Sequence, residues 1–299
     1  MSNDDFQCRP FHSAAAGDVI RVVNSYLAGW PYVRAIDAKL VRHWTTLGEV
    51  FQPRNALLGY RSGGPAAFLH AEAERDTTTY NVHLLALAPG ATDEGLRLLE
   101  IIEQRARDEG AKLLRGPYHR SAMFYGGYIC GREPYHPDWA VDATHAYVRA
   151  GFRIVHAGVL MVLDGEKPPR PQHAPRNHET SPREAPAEYD ATAVGFGVTL
   201  DGSDVAKCSA RLYPSLLDSR GRPTGQVGPV STSEPHRGKG IAKALVHAAS
   251  SRLRDLGAGD ILIATGLENY PALRAYERVG FERRYNINEW SKDLIPIRE

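Results

Sequence analysis

The stretch HRGKGIAKAL at residues 236–245 decides how the fold of this 299-residue chain is interpreted. It lies between a strand-like segment, QVGPVSTS (226–233), and an amphipathic helical pattern that starts at Gly240. Glycine lets the backbone approach a ligand closely, and the first turn of a helix offers unpaired N–H groups with a partial positive charge. The pattern indicates an anion site suited to a pyrophosphate, with Arg237 and Lys239 at its rim. An ordinary tight strand-to-helix turn would carry the same residues.

Two common nucleotide-binding loops are excluded. The stretch has no Gly-Lys-Ser/Thr and is therefore not a P-loop. Lys243 stands where a dinucleotide fingerprint requires its third small residue.

The chain on either side of the glycine-rich stretch alternates between strand and helix patterns. Strand patterns at 192–202 and 204–214 precede it, and a strand (260–265), a helix (270–280) and a last strand (281–291) follow it. This alternation predicts an α/β fold in which helices pack on a sheet.

The first half follows a related plan. It has helical patterns at 14–30, 35–47 and 92–110, and its tail AYVRAGF (146–152) repeats AYERVGF (275–281). The long helices align at an offset of 147 residues but the tails at 129, which leaves 18 extra residues in the aromatic stretch 116–139. A segment rich in proline and charge, 164–188, predicts an exposed linker. We therefore predict a first domain at 1–163, a linker at 164–188 and a second domain at 189–299.

Composition limits the partners. The formal net charge is +1, so there is no electrostatic reason to expect nucleic acid or an anionic membrane. The first residues, MSNDDFQCRPFH, are not those of a signal peptide, and no apolar run approaches the roughly 20 residues that span a bilayer. Three scattered cysteines fit a reducing compartment and core packing, so we expect a cytoplasmic protein. The oligomeric state stays open.

Two motifs together resemble the GNAT superfamily of N-acetyltransferases over residues 190–294. Arg237-x-x-Gly240-x-Ala242 fits its loop signature, and Asn269, Ala272, Tyr276, Gly280 and Phe281 fit its helical tail at the family's spacing. The resemblance implies an α/β (α+β) protein with two GNAT-like lobes, each a twisted mixed sheet flanked by helices. The first lobe is then degenerate, an arrangement similar to that of the mycothiol synthase family.

The resemblance also implies a cosubstrate, acetyl-coenzyme A or another acyl-coenzyme A, and no metal. The loop would hold its pyrophosphate, and the preceding strand would pair with its pantetheine arm. The cofactor-binding residues expected on this basis are Val230, Ser231, Thr232, Arg237, Gly238, Lys239, Gly240, Ile241, Ala242, Lys243, Asn269, Ala272 and Tyr276.

The expected catalytic residues are Thr232, whose backbone N–H would stabilise the oxyanion, and Tyr276, which would protonate the leaving thiolate. The alternative for Tyr276 is simple packing on the sheet. Glu268 and Glu289 are the candidates for the general base, acting through water, although either also fits a solvated carboxylate. His236 and His247 are interpreted as structural.

The first lobe is expected to bind coenzyme A poorly. At the 147-residue offset, Asp93 and Glu94 stand where the pyrophosphate would lie, and their charges would repel it. Tyr147 is then structural. The second half has no room for the two helices that usually wall the acceptor site, so we hypothesise that the first lobe does so. The aromatic residues considered for the lining, with a local core as the alternative, are Tyr118, Phe124, Tyr125, Tyr128, Tyr135 and Trp139.

The predicted function is transfer of an acetyl group to the amine of a small molecule by direct attack in the C-terminal lobe. The alternatives are a non-catalytic acyl-coenzyme A sensor or interaction module, and a protein N-acetyltransferase.

Overall fold

The computed structural model describes residues 6–47, 50–61, 64–74, 78–117, 122–125, 128–129, 136–137, 139–173, 180–183, 191–200 and 203–294. The strands are β1 Gln7–Pro10, β2 Ala56–Arg61, β3 Gly64–Ala73, β4 Thr79–Leu87, β5 Leu113–Arg115, β6 His136–Pro137, β7 Arg153–Leu163, β8 Thr180–Arg183, β9 Thr192–Leu200, β10 Ser203–Leu217, β11 Pro223–Thr232, β12 Ile261–Gly266 and β13 Glu282–Asp293. The helices are α1 Ala16–Leu27, α2 Ala38–Thr46, α3 Thr92–Asp108, α4 Ala122–Tyr125, α5 Val141–Arg149, α6 Ile241–Asp255 and α7 Tyr270–Val279.

The strands of the described residues form one continuous mixed sheet. Their order is β1-β2-β3-β4-β5-β13-β7-β12-β11-β10-β9-β8, and β6 pairs with β13. Most neighbours are antiparallel, but β4–β5 and β11–β12, which are joined through α3 and α6, are parallel. The predicted class, a mixed sheet flanked by helices, is confirmed.

The two halves share one plan, with a difference after the first strand. In the first half, α1 and α2 stand between β1 and β2. In the second half, only eight residues, 184–191, separate β8 from β9, which is too short for two helices.

The last strand of each half is exchanged. β7, which ends the first half, pairs through residues 158–163 with β12 and, on its other edge, with β13. β13, which ends the second half, pairs in turn with β5. Each half therefore completes the sheet of the other, so the division into 1–163 and 189–299, which stays a prediction, does not divide the sheet.

Helices cover the exchanged strands on both faces. Val159 and Met161 of β7 point to the face that carries α6 and α7, called the α6–α7 face. Leu160 and Val162 point to the opposite face, where they join the core formed by α1 and α2, called the α1–α2 face. This alternation follows from the two-residue period of a strand.

The loop between α1 and α2 reaches the second half. Tyr32 adopts φ +55°, and its hydroxyl donates a hydrogen bond of 2.7 Å to Oδ2 of Asp260, beside β12. The guanidinium of Arg34 bonds to the hydroxyl of Ser215 on β10. The first half thus lies against the face that the missing helices leave open.

The described residues 164–173 of the predicted linker are mostly exposed, as expected, but they are also hydrogen-bonded to the second half. Arg254 of α6 donates to the carbonyl oxygens of Leu163, Asp164 and Lys167, and the N–H of Gly165 donates to Asp260 at 2.8 Å. Residues 180–183 form β8, antiparallel to β9. The remainder, 174–179 and 184–188, lies outside the described residues.

Candidate active site

A cleft opens where β11 and β12 part. These parallel strands pair only at Gly225–Ile261 and Gln226–Leu262 and diverge beyond that point. The cleft has a volume of about 320 Å³. Its lining residues come from β7, β11, β12, α7 and β13: His156, Gly158, Val227, Gly228, Pro229, Val230, Ile263, Ala264, Thr265, Gly266, Asn269, Tyr276 and Ile287.

Strand β11 turns two backbone N–H groups toward the gap. The N–H of Ser233 donates to the carbonyl of Val205 at 2.8 Å, and paired residues in an antiparallel ladder alternate between bonded and non-bonded. Thr232 and Val230 face Ala206 and Cys208 in the non-bonded register. Their N–H groups therefore point away from β10, toward the side from which β12 has diverged.

The glycine-rich loop continues from the end of this strand. Gly238 and Gly240 have φ of +74° and +84°, a region that favours glycine. Gly240 is the N-cap of α6, and no side chain caps this helix. Arg237 folds back, with Nε 3.2 Å from the carbonyl of Thr232. The first N–H groups of α6 are thus not capped by a side chain, and the anion site expected there stays a prediction.

A second observation supports a ligand at this end of the strand. The hydroxyl oxygen of Thr232 is buried and has no hydrogen-bond partner among the described residues. Buried hydroxyls are normally satisfied. The residues present therefore fit the pantetheine and pyrophosphate of an acyl-coenzyme A.

Tyr276 reaches the cleft from the α6–α7 face. Its side chain is buried on α7, in the core formed with α6 and the strands below it. Asn269 caps the same helix by accepting from the N–H of Ala272 at 3.4 Å, and it donates to the hydroxyl of Thr265 at 3.1 Å. Asn269 and Ala272 therefore have clear structural roles in holding Tyr276 at the cleft.

The predicted site residues fall into two groups. Val230, Asn269 and Tyr276 line the cleft itself. Ser231, Thr232 and the loop 237–243 continue from its end along β11 and into α6. The expected role of Thr232 as oxyanion donor and the roles of the loop residues stay predictions. His236 and His247 do not line the cleft.

The cleft also contains a histidine that the sequence patterns do not single out. His156 of β7 lines the cleft, and Oε1 of Glu268 lies 3.7 Å from its Nδ1. Glu268 itself is largely exposed at the mouth. Glu289, the other candidate base, faces His156 across the strands, but its carboxylate lies 3.3 Å from Nε of Arg115.

The corresponding region of the first half is filled by the protein itself. At the start of α3, the carboxylate of Asp142 accepts from the N–H of Gly90 (3.1 Å) and the hydroxyl of Thr92 (2.8 Å). Asp142, rather than Asp93 or Glu94, thus takes the anion position. Asp93 pairs with Arg149 at 2.5 Å.

Tyr147, the counterpart of Tyr276, lies in a closed aromatic cluster. It is fully buried and stacks on Trp290 at 5.7 Å between ring centroids, with His136 at 5.3 Å. Burial raises the pKa of Tyr147 well above its usual value. This packing fits the structural role that the sequence predicts.

The aromatic stretch of the first half divides between two places. Phe124, Tyr125 and Tyr128 are buried in the local core, where the guanidinium of Arg34 lies 3.8 Å from the ring of Tyr128. Trp139 instead packs on Tyr285 of β13 at 4.8 Å. Tyr118 and Tyr135 lie outside the described residues.

A polar cluster beside Tyr125 is separate from the cleft. His70 lies 3.3 Å from Glu72 and 3.1 Å from the hydroxyl of Tyr125. Burial lowers the pKa of His70 to about 3 and raises that of Glu72 to about 7. The pair is therefore held neutral, not as an ion pair, near pH 6.

In the described ranges, no helix is long and apolar enough to cross a membrane. No group of three or more His, Cys, Asp or Glu side chains there is placed to hold a metal ion. Cys208 is buried, and burial raises the pKa of its thiol to about 12, as expected of a packing residue.

Residues 160–281 match the model of the acetyltransferase (GNAT) family. The matched residues, fewer than half of the chain, are therefore similar to this family. N-acetyltransferase family 8 member 2 of Rattus norvegicus is 38% identical over 88 residues, which are 29% of this chain and 38% of that protein. Mycothiol acetyltransferase of Corynebacterium aurimucosum is 34% identical over 68 residues, 23% of this chain and 22% of that protein. The chain thus matches less than half the length of either relative.

The whole chain is similar in fold to a solved tandem GNAT protein from the clavulanic acid biosynthesis pathway. The TM-score is 0.69 at 15% identity, and the match covers 98% of this chain and 99% of that one. The fold is therefore that of a tandem GNAT protein.

Proposed function

We propose that this protein is an acyl-coenzyme A-dependent N-acyltransferase, which transfers acetyl to the amine of a small molecule in its C-terminal lobe. The observation that carries the proposal is the cleft between β11 and β12. It combines outward N–H groups on β11, Tyr276 on the opposite wall and the uncapped N-terminus of α6 at its end.

Each part of the cleft has a chemical role. The start of α6 and its glycine loop hold the pyrophosphate, and β11 pairs with the pantetheine amides through N–H groups that β10 does not use. Acetyl-coenzyme A supplies the activated thioester. Tyr276 donates its hydroxyl proton to the departing thiolate.

The geometry favours Val230 over Thr232 as the oxyanion donor. Both N–H groups point to the gap, but Val230 lines the cleft together with Tyr276, and Thr232 lies beyond it toward the loop. A donor aimed at the carbonyl oxygen stabilises the negative charge that develops there during attack. The N–H of Thr232 then serves the pantetheine.

The acceptor approaches from the α1–α2 face, because Tyr276 and the thiolate lie on the α6–α7 face. On the approach side, Trp139 packs on Tyr285, and Tyr32 lies 6.2 Å from the same ring. These contacts support the hypothesis that the first lobe walls the acceptor site. A cytoplasmic location and the absence of nucleic-acid and membrane partners stay predictions.

Thiol release tests the proposal. The full chain is given acetyl-coenzyme A with benzylamine, tyramine, spermidine, glucosamine or a short peptide with a free amino terminus, and free thiol is followed with an aromatic disulfide. We expect turnover with at least one small amine. Binding of acetyl-coenzyme A without turnover on any amine would favour a sensor, and turnover on the peptide alone would favour a protein acetyltransferase.

A further inference from the structure

We propose that His156 is the general base of the reaction and that Glu268 is its positioning residue; this inference rests on the proposed function. Neither glutamate suggested by the sequence has this role of base. The second lobe thus takes a catalytic group from the strand that the first half contributes to its sheet.

Few side chains that line the cleft can exchange a proton. Among its described lining residues, only His156 and Tyr276 have side chains that take up or release a proton in ordinary enzyme chemistry. The lining amide and hydroxyl of Asn269 and Thr265 are bonded to each other. Because Tyr276 serves the leaving thiolate, His156 is left for the incoming amine.

His156 and Tyr276 come from opposite faces of the sheet. Leu160 and Val162 point to the α1–α2 face, and so does His156, two residues before Gly158 in the same alternation. Tyr276 comes from the α6–α7 face. A thioester held in the gap between β11 and β12 would therefore have the base on one side of the sheet, where the amine adds to the carbonyl, and the acid on the other, where the thiolate leaves the tetrahedral intermediate.

The groups next to His156 suit a general base that is transiently protonated during the reaction. Glu268, after β12, lies 3.7 Å from Nδ1, so its carboxylate stabilises the imidazolium and leaves Nε2 for the acceptor. From β13, Glu289 faces the histidine, but Arg115 of β5 lies 3.3 Å from its carboxylate and 3.6 Å from that of Glu74.

An ammonium acceptor loses two protons on becoming an amide. His156 takes the first, which frees the nitrogen lone pair to form the N–C bond, and passes it to solvent. The C–S bond breaks as the carbonyl re-forms, and the thiolate receives its proton from Tyr276. Tyr276 is in turn reprotonated by the second proton leaving the nitrogen.

The test compares His156→Gln, Glu268→Gln and the double variant in the full chain, using the amine of the panel above that the unaltered protein turns over fastest. We expect His156→Gln to lower kcat/KM by about 10²-fold, to leave the KM for acetyl-coenzyme A unchanged and to remove the acidic limb contributed by the base to the pH profile of kcat/KM. The loss of kcat/KM should be smaller in Glu268→Gln than in His156→Gln. The double variant should lose no more than His156→Gln alone, because Glu268 acts through the imidazole. His145→Gln, an exposed histidine on α5, is the matched control.

The outcomes separate this inference from the proposed function. If the unaltered protein turns over no amine, the proposed function fails. If it is active but His156→Gln keeps its rate and pH profile, the inference is wrong. A loss in Glu268→Gln that equals or exceeds that of His156→Gln would make the glutamate the base and also overturn it. Circular dichroism and acetyl-coenzyme A binding confirm that each variant is folded.

Discussion

Separating the two halves of the chain should unfold the C-terminal lobe, because the cut removes β7 from its sheet. Five consecutive side chains of this strand, Val159 to Leu163, are each at most 3% exposed. Burying an apolar side chain of this size contributes about 1.5–3 kcal/mol, so the five together contribute about 7–15 kcal/mol. A whole domain is stable by only about 5–15 kcal/mol. Fragment 177–299 is therefore not expected to fold alone.

The assay is urea unfolding followed by circular dichroism on fragments 1–176 and 177–299, alone and co-expressed. We expect no cooperative transition for 177–299 alone, and a soluble complex with a cooperative transition when both are present. Co-expression is the matched control, since it restores β7 without restoring the covalent link. A cooperative transition in 177–299 alone, at a urea midpoint close to that of the full chain, would refute the reasoning.

Three further predictions concern single residues. Tyr276→Phe should lower kcat by about 10²-fold with little change in the KM for acetyl-coenzyme A. Tyr147→Phe, its matched control, should leave both unchanged. Gly240→Ala places a side chain at φ +84°, which costs about 1–2 kcal/mol, so calorimetry should show about tenfold weaker binding of acetyl-coenzyme A. Glu72, whose pKa is raised to about 7, favours the folded state at acid pH, and this contribution is lost as the pH rises through that value. Relative to the native protein, Glu72→Gln should therefore gain stability to urea between about pH 5 and about pH 8.

For each of the three predictions, one outcome would contradict the reasoning. Equal losses in both tyrosine variants would show a packing effect instead of proton transfer. Unchanged affinity in Gly240→Ala would mean that the loop conformation does not hold the ligand. A stability difference for Glu72→Gln that stays constant with pH would mean that the carboxyl is already ionised at the acid end.

Local signals explain what the sequence could predict. The glycine loop, α6, α7 and Tyr276 lie within 45 residues of one another, and each helix has its own apolar period and glycine stop. The spacing of such motifs survives in the fold because short connections keep consecutive elements adjacent. The sequence could therefore predict the order of these elements, while the anion site and the role of Tyr276 stay predictions.

Long-range contacts explain what it could not predict. His156 precedes Tyr276 by 120 residues and belongs to the other half in sequence. Its strand has the same alternating pattern whichever neighbour it pairs with, so the pattern does not reveal the exchange. In the first half, the carboxylate at the anion position comes from Asp142, which is 50 residues from its partner Thr92 in the sequence. The sequence pattern places Asp93 and Glu94 there instead, because they stand at that position at the 147-residue offset.

The exchanged strands also set the order in which the protein can fold as the ribosome makes it. β5 is synthesised early, yet the strand that pairs with it is β13, about 175 residues later. In the nascent first lobe, the edge of β5 is therefore unpaired until β13 is made. β7 likewise has neither of its neighbouring strands until β12 and β13 are made. Unpaired edges of this kind recruit other chains. The pace of translation through the second half thus governs how long this chain is exposed to aggregation.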